Sequence, residues 1–242
     1  ILVELTESES RAYLKLTRSI GRMLLYQQRG IDASNIFDED NEDLKALLMQ
    51  RSRIIGSAAN KLKALRQIMA KRLHTTHTLF YCGDGSTENQ HQLKAVTQIL
   101  GAELGYRVST YTAETTLDKR ENLRRQFESG ELQGLVAIRC LDEGVDIPAI
   151  QTAVILASSR NPRQFIQRRG RILRPHPGKE RATLFDTIVL PPELDRETLE
   201  IERNLLRKEL KRLVEFADLA DNAGEARVKL LNLQKRYGLL DI

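Results

Sequence analysis

Two stretches decide the fold: Leu141-Asp-Glu-Gly-Val-Asp-Ile-Pro148 and Gln164-Phe-Ile-Gln-Arg-Arg-Gly-Arg-Ile-Leu-Arg174. In the first, Gly144 permits a tight turn or a close backbone approach. The apolar run Leu135-Val-Ala-Ile138 precedes it, so Asp146 stands near the carboxyl end of a strand, where open α/β sheets bind ligands. Alone, Gly-x-Asp-x-Pro fits many surface turns. In the second stretch, helical spacing puts Arg171 and Arg174 on one face, with Gln164 and Gln167 close to Arg171. Phe165, Ile166 and Ile172 are then free to enter a core. Guanidinium forks suit phosphate oxygens, and arginines so placed stabilise charge in phosphoryl transfer. A solvated basic helix accounts for the same residues equally well when the stretch is read alone.

Working outward, apolar or β-rich runs alternate with helical patterns. The runs are Thr78–Cys82, Arg107–Thr112, Leu135–Ile138, Thr152–Ala157 and Ala182–Leu190. Helical periodicity covers Gln92–Leu104 and Leu117–Phe127. This alternation implies right-handed crossovers and an α/β fold with a parallel sheet of about five strands, covered on both faces. The region 1–73 reads as helical. A Thr6/Glu9 capping box opens it, Gly30 suits a helix stop, and further helices cover Leu44–Ile55 and Leu62–Met69. Pro191-Pro192 closes the α/β region, and Leu199, Leu206, Leu210, Leu213 and Ala217 follow at helical spacing. Three segments result: a helical linker or insertion over 1–73, an α/β domain over 74–192, and a C-terminal helical extension over 193–242.

Charge is concentrated rather than spread. Between Arg160 and Arg181 there are eight basic residues against the single acid Glu180, a net +7 in a chain of net +5, which leaves −2 for the rest. A polyanion near that segment is its simplest use. The tail from Glu193 carries ten basic and eleven acidic residues, so it is a poor nucleic-acid surface and reads as a helical pair packed on the core or on a neighbouring domain, with a partner-binding or coiled-coil role as the alternative. Cys82 and Cys140 give no disulfide framework, which fits a reducing cytoplasm, and both read as buried small hydrophobes. His74, His77, His91 and His176 lack zinc-ligand spacing with them, and no metal site is expected on this chain. His74 and His77 read as solvated surface. No apolar run is long enough to span a membrane. The chain opens without Met or a leader, which is read as a start inside a longer protein.

Order then separates the readings. Leu141–Pro148 resembles motif V of superfamily 2 helicases, and Gln164–Arg174 resembles their motif VI, Q-x-x-Q-R-x-G-R-x-x-R, with one strand between them. Thr78–Gly85 looks like the motif IV strand and its phosphate-contacting loop, and Thr112–Thr115 with Arg120 looks like the next strand-to-helix turn. The resemblance covers roughly Thr75–Pro192, and motif V is closest to XPB-type, UvrB-type and restriction or phage-defence DNA helicases. It implies a RecA-like, P-loop-NTPase-type domain, the second of the two that make a motor. It implies arginine fingers at Arg171 and Arg174, nucleotide-cleft positions at Gly144 and Asp146, and coupling positions at Gln164 and Gln167. It implies backbone contacts to nucleic acid at Ser86, Thr112, Thr115 and Arg139, with DNA favoured over RNA. Ile138 departs from the Thr that many RNA-helicase relatives carry there.

No Gly-x-x-x-x-Gly-Lys-Ser/Thr is present, and Gly178-Lys179 lacks the upstream glycine. Asp38-Glu39-Asp40 has no apolar strand before it and reads as a solvated loop. ATP and Mg2+ are therefore expected to be held mainly by a first RecA-like domain upstream, and this chain alone is expected to be inactive. Two other readings use the same residues: a nucleic-acid-binding or regulatory module that kept the fold without the motor, and a helical protein whose basic helix binds an acidic partner.

Overall fold

Thr78-Leu-Phe-Tyr-Cys82 is buried along its whole length, as a strand with helices on both faces must be. In the computed structural model the described residues are 1–26, 42–83, 86–87, 90–138, 147–157, 170, 172–192 and 196–241. In chain order the elements are β1 (Leu2–Glu4), α1 (Glu7–Tyr26), α2 (Glu42–Ser57), α3 (Asn60–Ala70), β2 (Thr78–Cys82), β3 (Ser86–Thr87), β4 (Gln90–His91) and α4 (Gln92–Gln98). A π-helical turn over Ile99–Glu103 extends α4. Then come β5 (Val108–Tyr111), α5 (Leu117–Glu128), β6 (Gly134–Ile138), β7 (Thr152–Ile155), β8 (Thr183–Asp186), β9 (Ile188–Leu190), α6 (Arg196–Ala217) and α7 (Ala223–Tyr237). By its internal contacts the chain divides into two units: Ile1–Ser10 with Ser52–Pro191, and Arg11–Arg51 with Pro192–Ile242.

The first unit is built on a five-stranded sheet in the order β5-β6-β2-β7-β8, parallel at every junction. Phe80 lies opposite both Val136 and Val154, so the three central strands are in register at their middles. Alternate side chains enter different cores. Leu79, Tyr81, Leu135, Ala137, Ala153 and Ile155 pack with Leu123 and Phe127 of α5. Phe80, Cys82, Val136 and Val154 pack with Leu65, Ile68 and Met69 of α3 and Val96 of α4. The expected α/β architecture and strand number are both observed. The Thr6/Glu9 capping box is also present: the Thr6 amide donates to Glu9 Oε2 at 2.8 Å and the Glu9 amide to Thr6 Oγ1 at 3.4 Å.

Three expectations change. Leu2–Glu4, inside the segment read as helical, is a strand paired in parallel with Ile188–Leu190. Three residues are too few to show a two-residue period. The single run Ala182–Leu190 is two strands in two sheets. Thr187 makes the break: its hydroxyl donates to the Ile155 carbonyl at 2.8 Å, so β9 leaves the main sheet and pairs with β1. His74 is exposed, as expected, but His77 is half-buried, with its ring edge-on to Phe127.

The second unit is helical. Ile20 of α1 packs with Leu44 and Leu48 of α2. Leu206, Leu210, Leu213 and Ala217 of α6 are buried, as are Leu230, Leu233 and Tyr237 of α7. The expected helical pair at the C-terminus is therefore present. No helix among the described residues is long and apolar enough to cross a membrane.

Candidate nucleotide and nucleic-acid site

The expected chemistry belongs to the segments that follow the carboxyl ends of the strands. Arg139, Gly144, Asp146, Gln164, Gln167 and Arg171 lie outside the described residues, as do Cys140, Gly30 and the Asp38–Asp40 triplet. The flanks of both motifs are described. Ile147, next to last in the motif V stretch, is buried in the α5-side core, and Ala149 and Ile150 join it. Ile172 enters the same core, 2% exposed, in the role expected of it. One hydrophobic cluster thus anchors the end of motif V and the end of motif VI together. Arg174, the last residue of motif VI, is exposed.

The turn after β5 is braced internally. The Thr112 amide donates to Thr115 Oγ1 at 3.0 Å. Arg120 on α5 reaches back and donates to the Thr115 carbonyl at 2.8 Å and the Ala113 carbonyl at 3.0 Å. Both threonines are half-buried. The guanidinium therefore fixes the loop that carries them. Ser86 lies in the short antiparallel pair β3–β4 that follows the motif IV strand.

Three polar residues at this site were not legible as functional in the sequence. Gln92, buried at the start of α4, accepts from the Gly83 amide at 2.8 Å and donates to the Gly56 carbonyl at 3.0 Å, bracing the start of the motif IV loop. Lys61, buried on α3, donates to the Leu156 carbonyl just beyond β7. Lys179 donates to the carbonyls of Pro148 at 3.3 Å, Ile172 and Arg174 at 2.9 Å. Burial lowers its pKa from the ordinary lysine value. The sequence showed Lys179 only as a member of a basic stretch. Two prolines and a glycine just before it were the available signal for a rigid turn aiming it somewhere.

Comparison with known proteins places this arrangement. Residues 60–176, which contain both motifs, match the helicase conserved C-terminal domain. The DNA 3'-5' translocase XPB2 of Sulfurisphaera tokodaii is 27% identical over 191 residues, covering 72% of this chain and 39% of the relative. This chain thus spans well under half the length of that relative. Two solved structures share the fold: the C-terminal part of the Fun30 ATPase domain (TM-score 0.55, 12% identity, 82% of this chain and 90% of that one) and the Sulfolobus solfataricus SWI2/SNF2 ATPase C-terminal domain (TM-score 0.54, 13% identity, 86% and 84%). On the sequence match and the parallel sheet together, residues 60–176 of this chain form a helicase conserved C-terminal domain, and the chain is similar to XPB-type DNA translocases.

Proposed function

We propose that this chain is the second RecA-like half of an ATP-dependent DNA helicase or translocase, working with a first RecA-like half upstream that holds ATP's phosphates and Mg2+. The observation that carries the reading is the helicase match over 60–176, which takes in motif V and motif VI in order. The name of the S. tokodaii relative, a DNA translocase, favours DNA as the track. A place in DNA repair, or in restriction or phage defence, fits the wording of motif V.

In this reading water attacks the γ-phosphorus and the bond to the β-phosphate oxygen breaks. Negative charge spreads over the γ-phosphoryl oxygens as it does so, and the guanidiniums of Arg171 and Arg174 are the groups placed to meet it. Gly144 and Asp146 line the nucleotide cleft. Gln164 and Gln167 relay its closure to the domain, whose cycle of closing and opening moves it along DNA. Ser86, Thr112, Thr115 and Arg139 hold the strand by its backbone, which carries no sequence information, as suits a motor.

The test is the nucleic-acid-stimulated ATPase of the full-length protein. Arg171→Ala and Arg174→Ala are each expected to lower kcat about a hundredfold or more, a loss of about 2.7 kcal/mol of transition-state stabilisation. ATP affinity should hold nearly constant. Wild-type turnover in both variants rejects the finger assignment.

A further inference from the structure

We infer that Lys179 is a positioning residue that locks the end of motif V to the end of motif VI, and so sets where Arg174, the last motif VI arginine, stands. This deepens the proposed function and rests on it. An ammonium has three N–H donors. The Lys179 ammonium directs them at three backbone carbonyls from two segments: Pro148, which closes motif V, and Ile172 and Arg174, which lie at the end of motif VI. Ile172 is helical and Arg174 follows two residues on, past a turn at Leu173, and carbonyls at a helix end lack an intrahelical partner.

The delivery of Lys179 is built into the chain. Pro175 cannot continue the helix, and Gly178 takes a positive φ of 77°. The Lys179 amide then donates to the His176 carbonyl at 2.9 Å, closing a tight turn that returns the side chain to the helix end. The lysine is partly dehydrated there, which lowers its pKa, so the site gives up solvation to hold this geometry. A surface lysine serving only general charge would keep its water. Apolar packing alone, through Ile147, Ile150 and Ile172, brings the two segments together but does not set the helix end to a fraction of an ångström. Directional bonds to its carbonyls do. Finger arginines act on a transition state, where misplacement by about 1 Å costs about a hundredfold.

The experiment uses the full-length protein with ATP and duplex DNA as probes. Lys179→Met, which keeps chain length and removes all donors, is expected to lower kcat tenfold or more. KM for ATP and DNA affinity should each change less than about twofold. Lys179→Arg, which restores donors, should recover much of the rate, and exposed Glu180→Gln should match wild type. A merely structural lysine predicts a different pattern: activity lost in proportion to folded protein in a thermal melt, kcat and KM moving together, and no rescue by arginine. That pattern, or an unchanged kcat in Lys179→Met, overturns the inference. Arg171→Ala and Arg174→Ala run alongside. If they abolish turnover while Lys179→Met does not, this inference alone fails. If they leave turnover intact, the finger assignment on which this inference rests fails.

Discussion

At the scale of single residues, the second unit is organised around a charge pair that helical periodicity cannot reveal. Arg51 of α2 and Glu202 of α6 form a salt bridge with side chains 3% and 2% exposed. Tyr13 of α1 donates its hydroxyl to Glu202, accepts from Arg51 and lies under the guanidinium, 4.5 Å from ring centroid to Cζ. Thr17 accepts from Arg51 Nε at 3.3 Å. Three helices meet at one satisfied polar cluster, which fixes their register because any slip strands a buried charge. Removing one partner of such a pair costs about 3–5 kcal/mol, while replacing both with apolar residues is often near neutral. Glu202→Leu should therefore lower the denaturant midpoint of this chain strongly, and Arg51→Met with Glu202→Leu should recover most of the loss. Additive losses in the double variant contradict a coupled pair. Sequence reading missed the cluster for a plain reason: Arg51 and Glu202 are 151 positions apart, and each alone looks like a solvated face.

At the scale of elements, what was legible is what period and punctuation encode. The five strands, α4, α5 and the C-terminal helices all repeat their pattern over enough residues to be read. β1 does not, and the break at Thr187 depends on a hydroxyl that finds a distant carbonyl. The candidate site was legible as motifs, because backbone turns and phosphate-binding groups recur as fixed residue types. Its supports Lys179, Gln92 and Lys61 bind carbonyls and amides that any residue could supply, so no local pattern announces them. One glycine makes the same point for packing. A Cβ on Gly134, where β6 runs beside β2, would stand 2.7 Å from Phe80 Cε2, 3.0 Å from the Thr78 carbonyl and 3.1 Å from Tyr106 Cε1. The carbonyl is backbone held in the sheet and cannot retreat. Gly134→Ala should cost about 1–3 kcal/mol as overpacking. A Cβ on Gly56, in helix α2, would meet nothing within 4 Å, so Gly56→Ala should stabilise by about 0.5–1 kcal/mol. Thermal melts of the two variants should shift in opposite directions; shifts of the same sign remove the steric argument.

At the scale of the whole molecule, the uneven charge makes a quantitative claim about nucleic acid. A net +7 between Arg160 and Arg181 beside a net −2 elsewhere gives the chain a local rather than a general attraction for a polyanion. Two kinds of basic residue can then be told apart by salt. A residue that touches one phosphate releases its condensed counterion, and log K falls with log salt by about 0.9 for that contact on duplex DNA. A residue that only raises the local potential changes affinity at low salt without removing a discrete contact. Arg139, next after β6, is proposed as the first kind. Arg139→Ala in the full-length protein should lower the magnitude of the salt slope by about 0.9 for duplex, or about 0.7 for a single strand. Arg181, exposed and beyond the motifs, serves as the comparison, and Arg181→Ala should leave the slope as it is. The measurement is DNA affinity at several salt concentrations for the three proteins. The two slope values also report which form of DNA the residue meets, since duplex and single strand differ in charge density. An Arg139→Ala slope equal to wild type on both substrates would assign the strand contact to another residue.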